Sequence, residues 1–168
     1  ILDSKKGVHI HSEISLPCLT HKDRYALKLA SELNIKYYAI SFVNSHKDLE
    51  EVKKIIGNNK FIISKIETKN AIFNLNKITK NSDALLIDRG DLSRYVPIEK
   101  IPIAQESIIK QSIKLNTPTY VATNLLESMI KENEATRAES HDIYSTLKEG
   151  AEGLVLAAET AIGKNPVE

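Results

Sequence analysis

Short apolar runs alternate with amphipathic stretches along the chain. Tyr37 to Val43, Phe61 to Ile66, Ala84 to Ile87, Thr119 to Ala122 and Leu154 to Leu156 are apolar and mostly β-branched or aromatic. Runs of this kind predict buried parallel strands. Between them the spacing becomes helical. Leu49, Val52, Ile55 and Ile56 share one helix face, Ile72, Leu75 and Ile78 the next, and Ala104, Ile108 and Ile113 a third. Thr20 with Asp23, and Ser45 with Asp48, are spaced as capping boxes. Pro97 and Pro118 mark a helix start and a strand start.

Five strands alternating with helices, with no linker and no shift in composition, predict an α/β fold with a parallel sheet covered by helices. Periodicity leaves two architectures open, an open doubly wound sheet and a piece of a (β/α)8 barrel. In both, the carboxyl ends of the strands share one rim, and that rim builds sites. The runs end in Ser64-Lys65-Ile66-Glu67, in Asp88-Arg89-Gly90-Asp91, in Thr123-Asn124 and in Ala157-Ala158-Glu159-Thr160. The rim is therefore expected to gather Lys65, Glu67, Asp91, Thr123 and Glu159. Glu67 and Asp91 are hard oxygen ligands suited to Mg2+. Lys65 is a compact cation able to neutralise charge on a transferring phosphoryl group. Thr123 offers a hydroxyl for hydrogen bonding or proton relay. Any one of these residues alone reads equally well as a solvated loop residue.

Composition narrows the class without naming a partner. The chain has 168 residues, 42% of them hydrophobic and 27% charged, with a formal net charge of +1. That balance suits one ordinary globular domain and gives no reason to expect a nucleic-acid or membrane partner. No apolar run reaches the ~20 residues of a membrane helix. Cys18 is the single cysteine, so no internal disulfide forms, and it reads as a small packed side chain. The first residue is Ile1 rather than Met, so the chain is expected to be a fragment or to have lost its start. A phosphate-binding P-loop is absent, because Gly163-Lys164 is followed by Asn165. Arg89-Gly90-Asp91 matches an adhesion tripeptide, but its place at a strand end accounts for it better.

Several segments, in order, resemble the pyruvate kinase family. Phe61-Ile62-Ile63-Ser64-Lys65-Ile66-Glu67 is similar to its ISKIE segment, and Arg89-Gly90-Asp91-Leu92 to its RGDLG. Ala122-Thr123-Asn124-Leu125-Leu126-Glu127-Ser128-Met129 resembles ATQMLESM, Thr136-Arg137-Ala138-Glu139 matches TRAE, and Glu159-Thr160-Ala161 with Gly163 resembles SGETAKG. Ser4-Lys5-Lys6-Gly7-Val8 resembles the SKKGVNLP stretch that returns from that family's lid domain.

The resemblance implies a partial TIM barrel, roughly strands four to eight, over residues 16–168, with residues 1–15 re-entering from a lid domain. It implies transfer of a phosphoryl group from phosphoenolpyruvate to ADP, giving pyruvate and ATP in glycolysis. In that reading Lys65 stabilises the transfer, and Glu67 and Asp91 hold Mg2+ or Mn2+, which binds the pyruvate enolate. Backbone N–H groups around Gly90 and Asp91 receive the substrate carboxylate, and Ser41 and Phe42 line the substrate pocket. Thr123 lies where the proton is delivered, and Lys6 lies near the nucleotide phosphates. K+ would find its ligands in strands outside this chain. A cytoplasmic or organellar homo-oligomer is implied for the full-length protein, and inactivity for this piece alone.

The chain also departs from the family pattern. Asp88 replaces a small residue and Ser93 a glycine; Asn124 replaces Gln. Ala157 and Ala158 replace Ser and Gly, and Ile162 replaces Lys. His9 and His11 stand for Asn and Pro, and read as surface residues rather than a metal pair. Asp88 adds a carboxylate beside the expected metal, and Ala157 removes a hydroxyl linked to proton relay. These changes support an alternative, a catalytically silent relative acting as a binding or interaction module.

Overall fold

The computed structural model describes residues 17–167. Lys6, His9, His11 and the segment 1–15 lie outside the described residues. Helix α1, His21–Glu32, precedes strand β1, Tyr37–Ile40. Helix α2, His46–Ile56, leads to β2, Phe61–Ile66. Two short helices, α3 (Lys69–Phe73) and α4 (Leu75–Thr79), precede β3, Ala84–Asp88. Helix α5, Arg89–Leu92, follows directly, then a 3-10 turn at Ile98–Lys100 and helix α6, Ile101–Lys114. Strand β4 is Thr119–Ala122, followed by a 3-10 turn at Glu127–Ile130 and helix α7, Arg137–Lys148. Strand β5, Gly153–Val155, and helix α8, Ala158–Ala161, come last.

All strand pairs are parallel, and the order β1-β2-β3-β4-β5 follows the chain. The sheet does not close among the described residues. It is part of a (β/α)8 barrel, the second of the two architectures left open by periodicity.

Alternation along the strands sorts side chains onto two faces. Ile62, Ile66, Leu85, Ile87 and Val121 join the main core, with Leu49, Val52 and Ile56 of α2, Ile78 of α4, and Ile101, Ile108 and Ile109 of α6. Residues of the other face are more open. Tyr37 is 68% exposed and Phe61 37%, their ring centroids 5.4 Å apart. The strands are thus buried on one face rather than both, because that second face looks towards the barrel interior. Lys65, two residues from Ile63, projects on this second face, as does Asp88, two residues from Leu86.

Three other expectations change. Strand β1 stops at Ile40, because Phe42 adopts φ 53 and turns the chain. The run Ile72, Leu75 and Ile78 is split at Asn74, which ends α3 and caps α4 while donating to the carbonyl of Asn44 at 2.9 Å. On α6 the buried positions include Gln105 and Ser112, whereas Ile113 is 52% exposed. Gln105 is satisfied by donating to Thr146 Oγ1 at 3.1 Å and Glu149 Oε2 at 2.9 Å. Both expected capping boxes form, at Thr20 and Ser45, and Thr136 with Glu139 makes a third. Cys18 is half-buried, and burial followed by the nearby Asp48 carboxylate pushes its thiol up to about 11.

Glu139 ties α7 to the turn after β4. It accepts from Ser128 N at 2.8 Å, Ser128 Oγ at 2.5 Å and Thr136 N at 2.7 Å. Burial pushes its carboxyl up, but the bonds from Ser128 and Thr136 outweigh that and hold it at about 2. Its ordinary value is 4.5, so the stabilisation is fully present above that pH and is lost as pH falls towards 2. Glu139→Gln should therefore lower stability at neutral pH, and the gap should close as the pH falls through this window. Urea unfolding at a series of pH values measures it; a gap that stays constant would refute the assignment.

Candidate functional site

The carboxyl ends of β2, β3 and β4 bring the polar residues together. Strand register sets Ile66 beside Ile87 and Asp88 beside Ala122, so Glu67, Asp88 and Thr123 emerge on the same rim. Lys65 Nζ lies 2.5 Å from Glu67 Oε1 and 3.1 Å from Asp88 Oδ2. Thr123 Oγ1 lies 3.2 Å from Asp88 Oδ1. Glu67, Asp88 and Asp91 each present a carboxylate oxygen, all within 4.8 Å of one another.

Glu67 is fully buried. Phe42 N donates to its Oε2 at 2.5 Å, which explains why β1 turns where it does. Its Oε1 pairs with the Lys65 ammonium at 2.5 Å. Burial pushes the Glu67 carboxyl up, against Lys65 and the Phe42 N–H. Burial pulls the Lys65 ammonium down, but Glu67 and then Asp88 outweigh it, so Lys65 stays protonated well beyond neutrality. Asp91 pairs with Arg94 Nη2 at 3.3 Å.

Gly90 makes the close approach that the site needs. Its N–H donates to Thr123 Oγ1 at 2.8 Å, and a Cβ there would lie 3.3 Å from that oxygen. Asp91 N donates to Asp88 Oδ1 at 3.3 Å, making Asp88 the cap of α5. Both N–H groups expected to receive a substrate carboxylate are thus engaged within the protein. Thr123 has one hydroxyl proton for two acceptors, Ala122 O at 2.6 Å and Asp88 Oδ1 at 3.2 Å.

Phe42 sits beside Glu67, and Ser41 is exposed in the turn before it. Glu159 occupies the same end of the sheet but serves its loop. It accepts from Leu126 N at 3.0 Å and Ala157 N at 2.8 Å. Burial raises its carboxyl, and the N–H groups of Leu126, Glu159 itself, Ala157 and Leu125 outweigh that and lower it. Gly163 closes against this turn, where a Cβ would fall 1.8 Å from Glu159 O.

Arg89 is the residue that sequence reading missed. It is 8% exposed and lies under the rim. Its Nε and Nη2 donate to Thr123 O at 3.1 and 3.0 Å, its Nη2 to Asn124 O at 2.7 Å, and its Nη1 to Asp142 Oδ2 at 2.8 Å. Thr123 and Asn124 have φ 68 and 54, a left-handed conformation that strains a β-branched residue. The tripeptide Arg89-Gly90-Asp91 was visible in the sequence, but Asp142 as its partner was not.

The family model for the pyruvate kinase barrel domain matches residues 1–168. Over 168 residues the chain is 42% identical to pyruvate kinase of Thermotoga maritima, covering 98% of this chain and 36% of that protein. It is 39% identical over 170 residues to pyruvate kinase of Methanocaldococcus jannaschii, with 98% of this chain and 38% of that protein covered. It is 37% identical over 171 residues to chloroplastic pyruvate kinase isozyme G of Ricinus communis, with 99% and 41% covered. The chain therefore spans well under half the length of these relatives. None of the described helices is long and apolar enough to cross a membrane.

Proposed function

The chain belongs to the pyruvate kinase family, and on that premise we propose that the polypeptide carrying it transfers a phosphoryl group from phosphoenolpyruvate to ADP, giving pyruvate and ATP. The convergence of Lys65, Glu67, Asp91 and Thr123 on one rim carries this reading. Lys6, Ser41 and Phe42 belong to it as nucleotide and substrate contacts. A homo-oligomeric full-length protein working in glycolysis, with K+ held outside this chain, belongs to it too.

The donor set fits Mg2+ or Mn2+. Glu67 and Asp91 offer hard oxygens, and one carboxylate oxygen of each lies within 4.8 Å of the other. Such an ion supplies Lewis-acid neutralisation of substrate oxygens. The protein's own residues do the rest. Phe42 N–H orients Glu67. Lys65 stays charged and offsets negative charge developing on the phosphoryl group. Thr123, held by Gly90 N–H, keeps its hydroxyl over the site where a proton is delivered.

One observation favours the silent relative. Asp88 places its own carboxylate on Asp91 N–H and beside the Thr123 hydroxyl, where the family reading expects the substrate carboxylate. A substrate must displace it or bind elsewhere. Pyruvate formation coupled to ADP phosphorylation separates the readings, measured for the wild type and for Asp88→Ala with Ala157→Ser. Activity in the wild type is the expected result. Activity only in the double variant would favour the silent relative, and none in either would reject the phosphotransferase assignment.

A further inference from the structure

We propose that Asn44 is a positioning residue for Glu67, holding its carboxylate through Phe42 and its backbone through Thr68. The inference rests on the reading of Glu67 given above and adds to it a residue from outside the carboxylate cluster. Phe42 N–H donates to Glu67 Oε2 at 2.5 Å, and Phe42 has φ 53, a strained value for a bulky side chain. Its ring is 46% exposed, so packing does not hold that conformation. Strain of this kind persists only where other contacts over-determine it. Asn44 Nδ2 supplies such a contact, donating to Phe42 O at 3.1 Å. Asn44 Oδ1 accepts from Thr68 Oγ1 at 2.8 Å. Thr68 is buried and follows Glu67 directly in the chain. One amide therefore bridges the residue that bonds the Glu67 carboxylate and the residue next to Glu67 in sequence.

Fastening the loop after β1 does not account for this side chain. The main chain of Asn44 already fastens it, its N–H donating to Asp48 Oδ2 at 2.7 Å and its C=O accepting from Asn74 Nδ2 at 2.9 Å. Any residue but proline can make both bonds. The side-chain pair instead needs a donor and an acceptor on one planar group. Phe42 O can only accept, so Nδ2 faces it. Thr68 Oγ1 accepts from Ala71 N at 3.1 Å and keeps its own proton to give, so Oδ1 faces that hydroxyl. Without the amide, Phe42 is free to leave its strained conformation and take its N–H away from Oε2. Glu67 would then be held by the Lys65 ammonium alone.

Mn2+ binding to the complete polypeptide, followed by the electron paramagnetic resonance of the free ion, tests this. Asn44→Ala should weaken binding about tenfold, as loss of an outer contact to a metal ligand does. Asn44→Asp keeps the shape and the acceptor for Thr68, but sets a negative oxygen against Phe42 O. Added negative charge by itself would tighten cation binding, whereas a displaced Phe42 weakens it, so the sign of the change is diagnostic. Weaker binding in Asn44→Asp is the expected result. Gln105→Ala removes two side-chain bonds of α6 that no rim residue shares, and serves as the control for lost stability. It should bind Mn2+ within about twofold of wild type, and thermal melting shows that all the variants fold. Three results would each overturn the proposal: affinity of Asn44→Ala within about twofold of wild type, tighter binding by Asn44→Asp, or an equal loss in Gln105→Ala. Glu67→Ala separates the two levels. If it weakens binding while Asn44→Ala does not, only the positioning role fails. If Glu67→Ala leaves binding unchanged, the metal reading fails and the positioning role with it.

Discussion

Lys65→Met is expected to lower turnover about a hundredfold while leaving KM nearly unchanged, in the polypeptide that carries this chain. The ammonium lies between Glu67 and Asp88, at 2.5 and 3.1 Å, on a strand whose opposite face is locked in the core. It cannot swing away without leaving those carboxylates unpaired. In the proposed reaction a fixed charge of this kind would act where negative charge grows, on the transferring phosphoryl group, more than on the bound ground state. Loss of a single such stabiliser costs ~3 kcal/mol of barrier, which is about a hundredfold. Methionine keeps the length of the stem and removes the charge. Steady-state kinetics at saturating metal would show the split between kcat and KM. A rise in KM alone would reassign Lys65 to substrate binding.

Arg89→Met is expected to cost ~3 kcal/mol of stability, because it strands charge and carbonyl groups beneath the rim. Arg89 bonds Thr123 O, Asn124 O and Asp142, three partners from two other segments of the chain. Methionine fills much of the same volume and satisfies none of them. The two left-handed residues would lose the bonds that hold them, and strain of this kind persists only where surrounding contacts over-determine it. Arg89→Lys should recover a minor part, since one ammonium cannot fork to separate acceptors as a planar guanidinium does. Urea denaturation of the three proteins measures this. A difference below ~0.5 kcal/mol between Arg89→Met and wild type would show that the clamp is incidental.

What was legible in the sequence follows from how local each cause is. Phe61–Ile66 and Thr119–Ala122 have the bounds that their apolar runs suggest, because burial against helices selects those residues directly. Phe42 is equally apolar yet ends β1, and its N–H is claimed by Glu67 from the next strand. Ile72, Leu75 and Ile78 keep a helical spacing across the break at Asn74, so periodicity alone could not reveal two helices. Ile113 is apolar and lies outside, while Gln105 lies inside because α7 and the residue after it supply its partners. The rim residues were readable because each follows an apolar run. Asp88 and Arg89 were not readable as capping residue and clamp, since those roles depend on Asp91, Thr123 and Asp142 arriving in place.

Because the strands lie in the sheet in the order they occur in the chain, each strand from β2 onwards finds a neighbour already synthesised when it emerges. No strand must wait for a distant segment to be threaded between existing neighbours, which keeps loop-closure costs small at every step. The three carboxylates and Lys65 come from β2, β3 and the residues just after them, so their cluster is complete before β4 exists. Thr123 joins only when β4 docks, and Asp142 locks it later still. On a growing chain, a pocket of concentrated negative charge would therefore precede the hydroxyl and the clamp that complete it. A cation captured at that stage would act as a fastener between β2 and β3, steadying a half-built sheet while its remaining strands are made.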